Sequence, residues 1–286
     1  INDSCGVNLR CDNPNQKIFL DSKVRNLKGA SSTLDNSGGI EGTNAAKEFR
    51  FNLSATPNIQ SKLSVNFRDI PGAWVNDKNK RDTLHNYLNE SQVVMLAIHT
   101  PALMDMKGKN NEKFNQVSAI QWFLKEQNFS KPILILLAPI KCESYIETED
   151  KCRKLLEAIQ SSYKELIQDL QSKPNVAIAI TPIETMGNMH FEGWNQDEDK
   201  YYRVNNNAYS PRNIDQPLFY ALNFALNYYL TNQRSRWVRV LDKSLPFLNF
   251  DSNFKKAIVK LANHIKTRED GFLLLQGDHL LINQGI

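Results

Sequence analysis

The chain has 286 residues, enough for one large domain or two small ones with a substantial core. Hydrophobic residues make up 41% and charged residues 23%, ordinary for a globular protein, and the net charge is +4 with basic residues spread along the chain. That spread argues against a dedicated nucleic-acid surface. No apolar run approaches the roughly 20 residues a membrane span needs, the longest being Pro132–Ile140, so no membrane association is expected. The cysteines Cys5, Cys11, Cys142 and Cys152 lack CxxC spacing, which predicts free thiols in a reducing cytoplasm. The chain begins at Ile1 rather than Met, which predicts that an upstream segment has been removed or omitted.

Residues 1–47 are rich in Asn, Asp, Ser and Gly and read as loop, with one possible short strand at Lys17–Leu20. Phe49–Leu53 and Leu63–Arg68 alternate apolar and polar residues, as two paired strands would. Asp82–Asn89 reads as a short helix and Val93–Ile98 as a continuous apolar strand. Lys113–Glu126 has helical spacing, and Ile133–Leu137 is a second buried strand. Glu149–Leu170 carries the stripe of one long amphipathic helix, and Val176–Ile180 is a third buried strand. Gln216–Leu230 is a further helix. From about Arg234 onward the sequence predicts a small appendage, with a helix near Asn253–Ile265 and a hairpin-like run at Gly271–Ile282.

Strands alternating with helices predict a doubly wound α/β fold, with a mostly parallel sheet covered by helices on both faces. The division expected is a loop-rich segment over 1–47, an α/β domain over 48–232 and an appendage over 233–286. Ligands of such sheets sit beyond the carboxyl ends of the strands. Three strand ends are therefore candidate site loops.

The first is Asp69-Ile70-Pro71-Gly72. A carboxylate there can hold magnesium, and the glycine amide can approach a phosphate with no side chain in the way. The same text also reads as a strand meeting a Pro-Gly turn. The second is Lys141-Cys142-Glu143. A lysine stem can lie along a base plane while the acid two residues on accepts hydrogen bonds from guanine. A solvated charge pair is the plain reading of the same residues. The third is Thr181-Pro182-Ile183-Glu184-Thr185, whose backbone amides could meet a base carbonyl.

Taken in order, "FRDIPGAW", "VVMLAIHTPALM", "LLAPIKCESY", "AIAITPIETMG" and "YSPRNIDQPLFYALNFAL" resemble a Ras-like GTPase of the TRAFAC class. They are most similar to the double-GTPase type found in bacterial conflict and defence neighbourhoods. The resemblance covers about Phe49–Leu230 and implies a P-loop NTPase fold that binds GTP or GDP with magnesium. It implies that Asp69 meets magnesium and Gly72 senses the terminal phosphate. It implies that Lys141 and Glu143 recognise the base and that Thr181 and Pro182 lie in the loop closing over it. Within "GGIEGTNA", Thr43 is placed like the switch threonine that meets magnesium and phosphate.

The departures from the family are specific. Ile140 stands before Lys141 where Asn is usual, and Glu143 is one methylene longer than the usual Asp. Nothing in the 286 residues matches GxxxxGK[ST]. Without that loop the charge on a triphosphate is poorly neutralised. The strand before it would also be missing from the middle of the sheet, leaving unpaired backbone edges. Three arrangements account for the gap. An upstream segment carries the strand and loop, a partner chain supplies the strand, or Lys17–Leu20 fills the slot in a degenerate relative.

Other constellations add little. There is no HExxH, GxSxG or metal-spaced Cys/His cluster. His99 reads as a packed histidine and Cys142 as a buried thiol. Trp74 stands where a water-positioning Gln often lies, and an indole offers only a donor. The expected function is a GTPase-like switch that binds and hydrolyses GTP in a bacterial defence or signalling system. The alternative is a non-hydrolysing module of the same fold that acts through a protein partner. An unrelated doubly wound hydrolase using Asp69 lacks a matching His–nucleophile pair.

Overall fold

A computed structural model describes residues 8–11, 13–30, 44–54, 63–195, 198–203, 209–237 and 252–281. The chain is α/β. Strands β1 (Asn8–Cys11), β2 (Lys47–Ser54) and β3 (Leu63–Asp69) form an antiparallel three-stranded sheet in the order β1-β2-β3. Helix α1 (Pro14–Ala30) packs on it, with Phe19 stacked on Phe49 at 5.9 Å and Gln16 donating to the Glu48 carbonyl at 2.8 Å.

The second sheet holds the core. Strands β4 (Val93–His99), β5 (Ile133–Ile140) and β6 (Val176–Ile180) run parallel, and β9 (Leu273–Gln276) joins β6 antiparallel, giving the order β4-β5-β6-β9. Strand side chains alternate between faces. Val94, Leu96 and Ile98, Ile133, Ile135 and Leu137, and Val176, Ile178 and Ile180 point one way. They meet α2 (Arg81–Glu90), α5 (Val117–Lys125), α6 (Glu149–Ser162) and α7 (Lys164–Gln171) through residues such as Leu88, Phe123, Leu155 and Leu166. Leu134, Leu136, Ala177 and Ala179 point the other way, onto Tyr220 and Phe224 of α8 (Gln216–Trp237). Helices therefore cover both faces, which is why β5 and β6 are apolar at nearly every position.

Short helices α3 (Thr100–Met104) and α4 (Asn111–Asn115) follow β4. A hairpin of β7 (Met189–Asn195) and β8 (Glu198–Arg203) follows β6, and α9 (Ser252–Asn263) precedes β9. No helix among the described residues is long and apolar enough to cross a membrane.

Several expectations from the sequence change. Lys17–Leu20 is helix, not strand, and residues 1–47 are not uniformly loop. Asn13 accepts the N–H groups of Asn15 and Gln16, and Pro14 opens the helix, a start signal strong enough to organise a polar segment. Lys113–Glu126 is two helices, because Gln116 takes a left-handed conformation (φ 48, ψ 43) between them. Glu149–Leu170 divides at Tyr163. Gly271–Ile282 is not a hairpin within its described part. Its strand pairs with β6, and Gln276 donates to the carbonyls of Lys173 and Val176.

Among the described residues the two main sheets are not hydrogen-bonded to each other: β3 pairs only with β2, and β4 only with β5. They are held together by packing. The turn after β3 forms a short 3-10 helix over Gly72–Asn76, and Ile70, Trp74 and Val75 join the core of the second sheet.

Candidate functional site

The loops after β3, β4, β5 and β6 meet through one chain of polar contacts. Asn76 donates to Gln116 Oε1 at 2.6 Å, and a Cβ added at Gly72 would lie 3.9 Å from the Gln116 amide. The neighbouring Asn115 is buried and clamps the end of β4. Its Oδ1 accepts the His99 N–H at 2.6 Å and its Nδ2 donates to the His99 carbonyl. His99 Nε2 lies 3.1 Å from Lys141 Nζ, and the Lys141 N–H donates to Thr185 Oγ1 at 3.1 Å. A continuous polar rim thus runs along the carboxyl ends of the parallel strands.

The rim is walled by rings. His99 stacks on Phe114 at 5.3 Å, and Trp194 of β7 lies 5.0 Å from Phe114 and 6.0 Å from His99. Lys113 Nζ lies 5.5 Å from the centre of the Phe114 ring. The indole N–H of Trp194 is buried and has no hydrogen-bond partner among the described residues. The Phe114 and Trp194 walls escaped the sequence reading. Trp194 comes from a hairpin whose polar sequence carries no strong strand signal.

Behind the rim the β5 and β6 loops are locked. The Thr181 N–H donates to Leu137, Ile183 to Pro139, and Cys142 to Ile183, so the two segments continue the parallel pairing beyond the strands. Glu143 is buried, and its Oε1 accepts the N–H groups of Met186 at 2.7 Å and Gly187 at 3.2 Å. Burial pushes the Glu143 carboxyl pKa up, and the two amides oppose that shift. Glu184 is also buried. It exchanges both backbone bonds with Arg212 and takes the Arg212 guanidinium in a two-pronged pair. Gly187 (φ 75) passes so close to this strap that a Cβ would fall 1.8 Å from the Ser210 carbonyl oxygen.

Lys141, Glu143, Thr181 and Pro182 are brought together at the ends of β5 and β6. Lys141 is half-buried with φ 60, and its amine faces β4. Thr181 and Pro182 are buried, and the Thr181 amide is already spent on Leu137. Of the amides expected to meet a base carbonyl, those of Thr181, Ile183 and Glu184 are therefore engaged within the protein. Asp69 and Gly72 are exposed at the end of β3, on the other sheet, and reach the rim only through the 72–76 turn. Thr43 lies outside the described residues.

Among the described residues no three His, Cys, Asp or Glu side chains gather as ligands. The described residues thus hold no ligand set for a resident ion. A magnesium ion that arrives on a nucleotide needs only one or two carboxylates, because phosphates and water fill the remaining positions. The exposed Asp69 fits that lesser demand.

No protein-family model matches the chain, and no curated protein or solved structure matches it.

Proposed function

We propose that the chain is a nucleotide-binding switch domain of Ras-like GTPase architecture. The observation that carries this reading is the rim: loops following β3, β4, β5 and β6 meet at the carboxyl ends of the parallel strands, where doubly wound sheets bind ligands. In this reading nucleotide phosphates lie along the rim, with Asp69 and Gly72 at one end and Lys141 at the other. Magnesium, carried in on the nucleotide, would neutralise phosphate charge beside Asp69. The edges of β3 and β4 that no described strand pairs are where a further strand, carrying the phosphate loop these 286 residues lack, would enter. Hydrolysis depends on that loop.

Glu143 favours a second reading, a non-hydrolysing module of the same fold that acts through a protein partner. A carboxylate that holds two backbone amides in a buried site is poorly placed to take the N–H groups of guanine. In either reading Glu143 positions the 181–187 loop, so preference for guanine over adenine should be weak.

Isothermal titration with magnesium and a non-hydrolysable GTP, with the ATP analogue alongside, tests the proposal. Saturable binding that falls in Asp69→Ala and Lys141→Ala supports the nucleotide-binding reading. Heat with neither nucleotide removes it and leaves the partner-binding module.

A further inference from the structure

The chain leaves the carboxyl end of β4 at His99 and returns to it at Asn115. The neck of this loop is firm. The Ala102 N–H donates to His99 Nδ1 at 3.2 Å, capping α3, and Thr100, Pro101, Ala102 and Leu103 are buried. The buried Asn115 holds both backbone groups of His99 and donates to Asn111 Oδ1 at 2.7 Å. The tip differs. Met106 (φ 48, ψ 35) and Lys107 (φ 57, ψ 35) are consecutive left-handed residues, and Gly108 (φ 74) extends the run. An L side chain costs free energy at each such position. Gly108 is needed, since a Cβ there would lie 3.1 Å from the Leu103 carbonyl oxygen. Met106 is 54% exposed and Lys107 is exposed too, so burial of these side chains does not offset the strain. The bond from the Lys109 N–H to the Met106 carbonyl is long, at 3.4 Å.

We propose that the tip, residues 105–110, is a lid with two backbone states, which closes Lys107 and Lys109 over an anionic ligand at the carboxyl ends of β4 and β5. Strain that packing does not offset narrows the free-energy gap between the observed tip and other backbone states, so modest contacts with a ligand can move it. The anchors confine the motion. α3 and Asn115 stay in place, and the few residues between them absorb the φ/ψ change, with Gly108 as the hinge. The tip stands beside the rim. Burial, and then the charge of Asp105, push the Tyr145 hydroxyl pKa up, so the base of the tip neighbours the loop after β5. Lys107 and Lys109 are exposed on either side of the hinge. The ligand class rests on the nucleotide reading: a triphosphate along the rim carries the negative charge that two lysines on a moving segment would meet.

The test uses the full chain and reads single backbone amides by hydrogen exchange. In the free protein exchange should be fast over 105–110 and slow in β4 and at the His99 amide. Met106→Gly, which keeps both lysines, should raise the urea midpoint, because glycine enters the left-handed region without a side-chain penalty. Magnesium with a non-hydrolysable GTP should slow exchange at the tip by about tenfold or more. Replacing both lysines, Lys107→Met with Lys109→Met, should remove most of that protection. Tripolyphosphate serves as a second probe. A tip as protected as β4 in the free protein overturns the lid, as does a Met106→Gly variant no more stable than wild type. Protection by neither probe overturns closure, and protection that survives loss of both lysines overturns their part in it. GTP binding seen by calorimetry with tip exchange unchanged overturns the lid and leaves the nucleotide reading standing. Protection by tripolyphosphate with none from GTP keeps the lid and removes the nucleotide reading.

Discussion

Glu143 and Met186 lie 43 residues apart, yet the Glu143 carboxylate accepts the Met186 amide at 2.7 Å in a site almost closed to water. The same oxygen takes the Gly187 amide, so one acid holds the whole turn between β6 and β7. Glu143→Ala would strand two amides, at about 1–3 kcal/mol for each one left buried. Urea unfolding should show that loss, and Glu143→Gln, which keeps an acceptor oxygen, should lose less.

The same acid predicts a pH trend. Its pKa is raised in the folded state by burial, so the native protein holds this proton more tightly than the unfolded chain. The contribution is fully present below the ordinary value of 4.5 and is lost as pH rises through the raised folded value. Wild type minus Glu143→Gln, compared by urea midpoint across that window, should become less favourable to wild type as pH increases. A flat difference would mean the carboxyl is not desolvated.

Gly187→Ala tests the strap. The backbone there is left-handed, and a methyl group would collide with the Ser210 carbonyl rather than with a side chain that can swing away. Backbone strain and overpacking together predict a loss on the order of 3 kcal/mol. Thermal melting reads it, and a near-neutral result would show that the 209–212 segment moves aside at little cost.

Cys142 should be chemically silent. Its thiol is fully buried, bonded with Thr100 and the Pro139 carbonyl, and burial pushes its pKa up to about 12. The thiolate is the reactive form, so alkylation near neutral pH should spare Cys142 in the native protein. Of the described cysteines, the half-buried Cys11 should label first. Mass spectrometry of tryptic peptides before and after urea distinguishes the two.

How far the sequence reaches follows from these particulars. β5 and β6 were legible because short, β-branched-rich apolar runs suit a strand covered on both faces, and β4 because its run is apolar from Val93 to Ile98, although one of its faces is partly exposed. Helix α1 was not, since its residues are mostly polar and its start depends on the Asn13 cap. The break at Gln116 was hidden because apolar spacing continues across a single left-handed residue. At the site, the sequence marked Lys141 and Glu143 as a pair, but two residues so close say nothing about direction. In the fold they part, Lys141 toward His99 and Glu143 toward Met186. The His99–Lys141 contact joins residues 42 positions apart, and no local pattern announces it.

The edge of β4 offers the last prediction. Met95 and Ile98 lie three residues apart on one apolar strand, so their side chains point to opposite faces. Ile98 is 1% exposed within the core, whereas Met95 is 53% exposed. Ile98→Ala should therefore cost about 2–5 kcal/mol through the cavity it leaves. Met95→Ala should fall within about 0.5 kcal/mol of wild type in this chain. The contrast bears on function, because an exposed Met on an apolar strand is what a strand pairing with β4 would cover. If adding such a strand, as a peptide or a partner chain, makes Met95→Ala costly in a melting assay, β4 is a docking edge. If Met95→Ala stays neutral with every partner that binds, the contact lies elsewhere on the molecule.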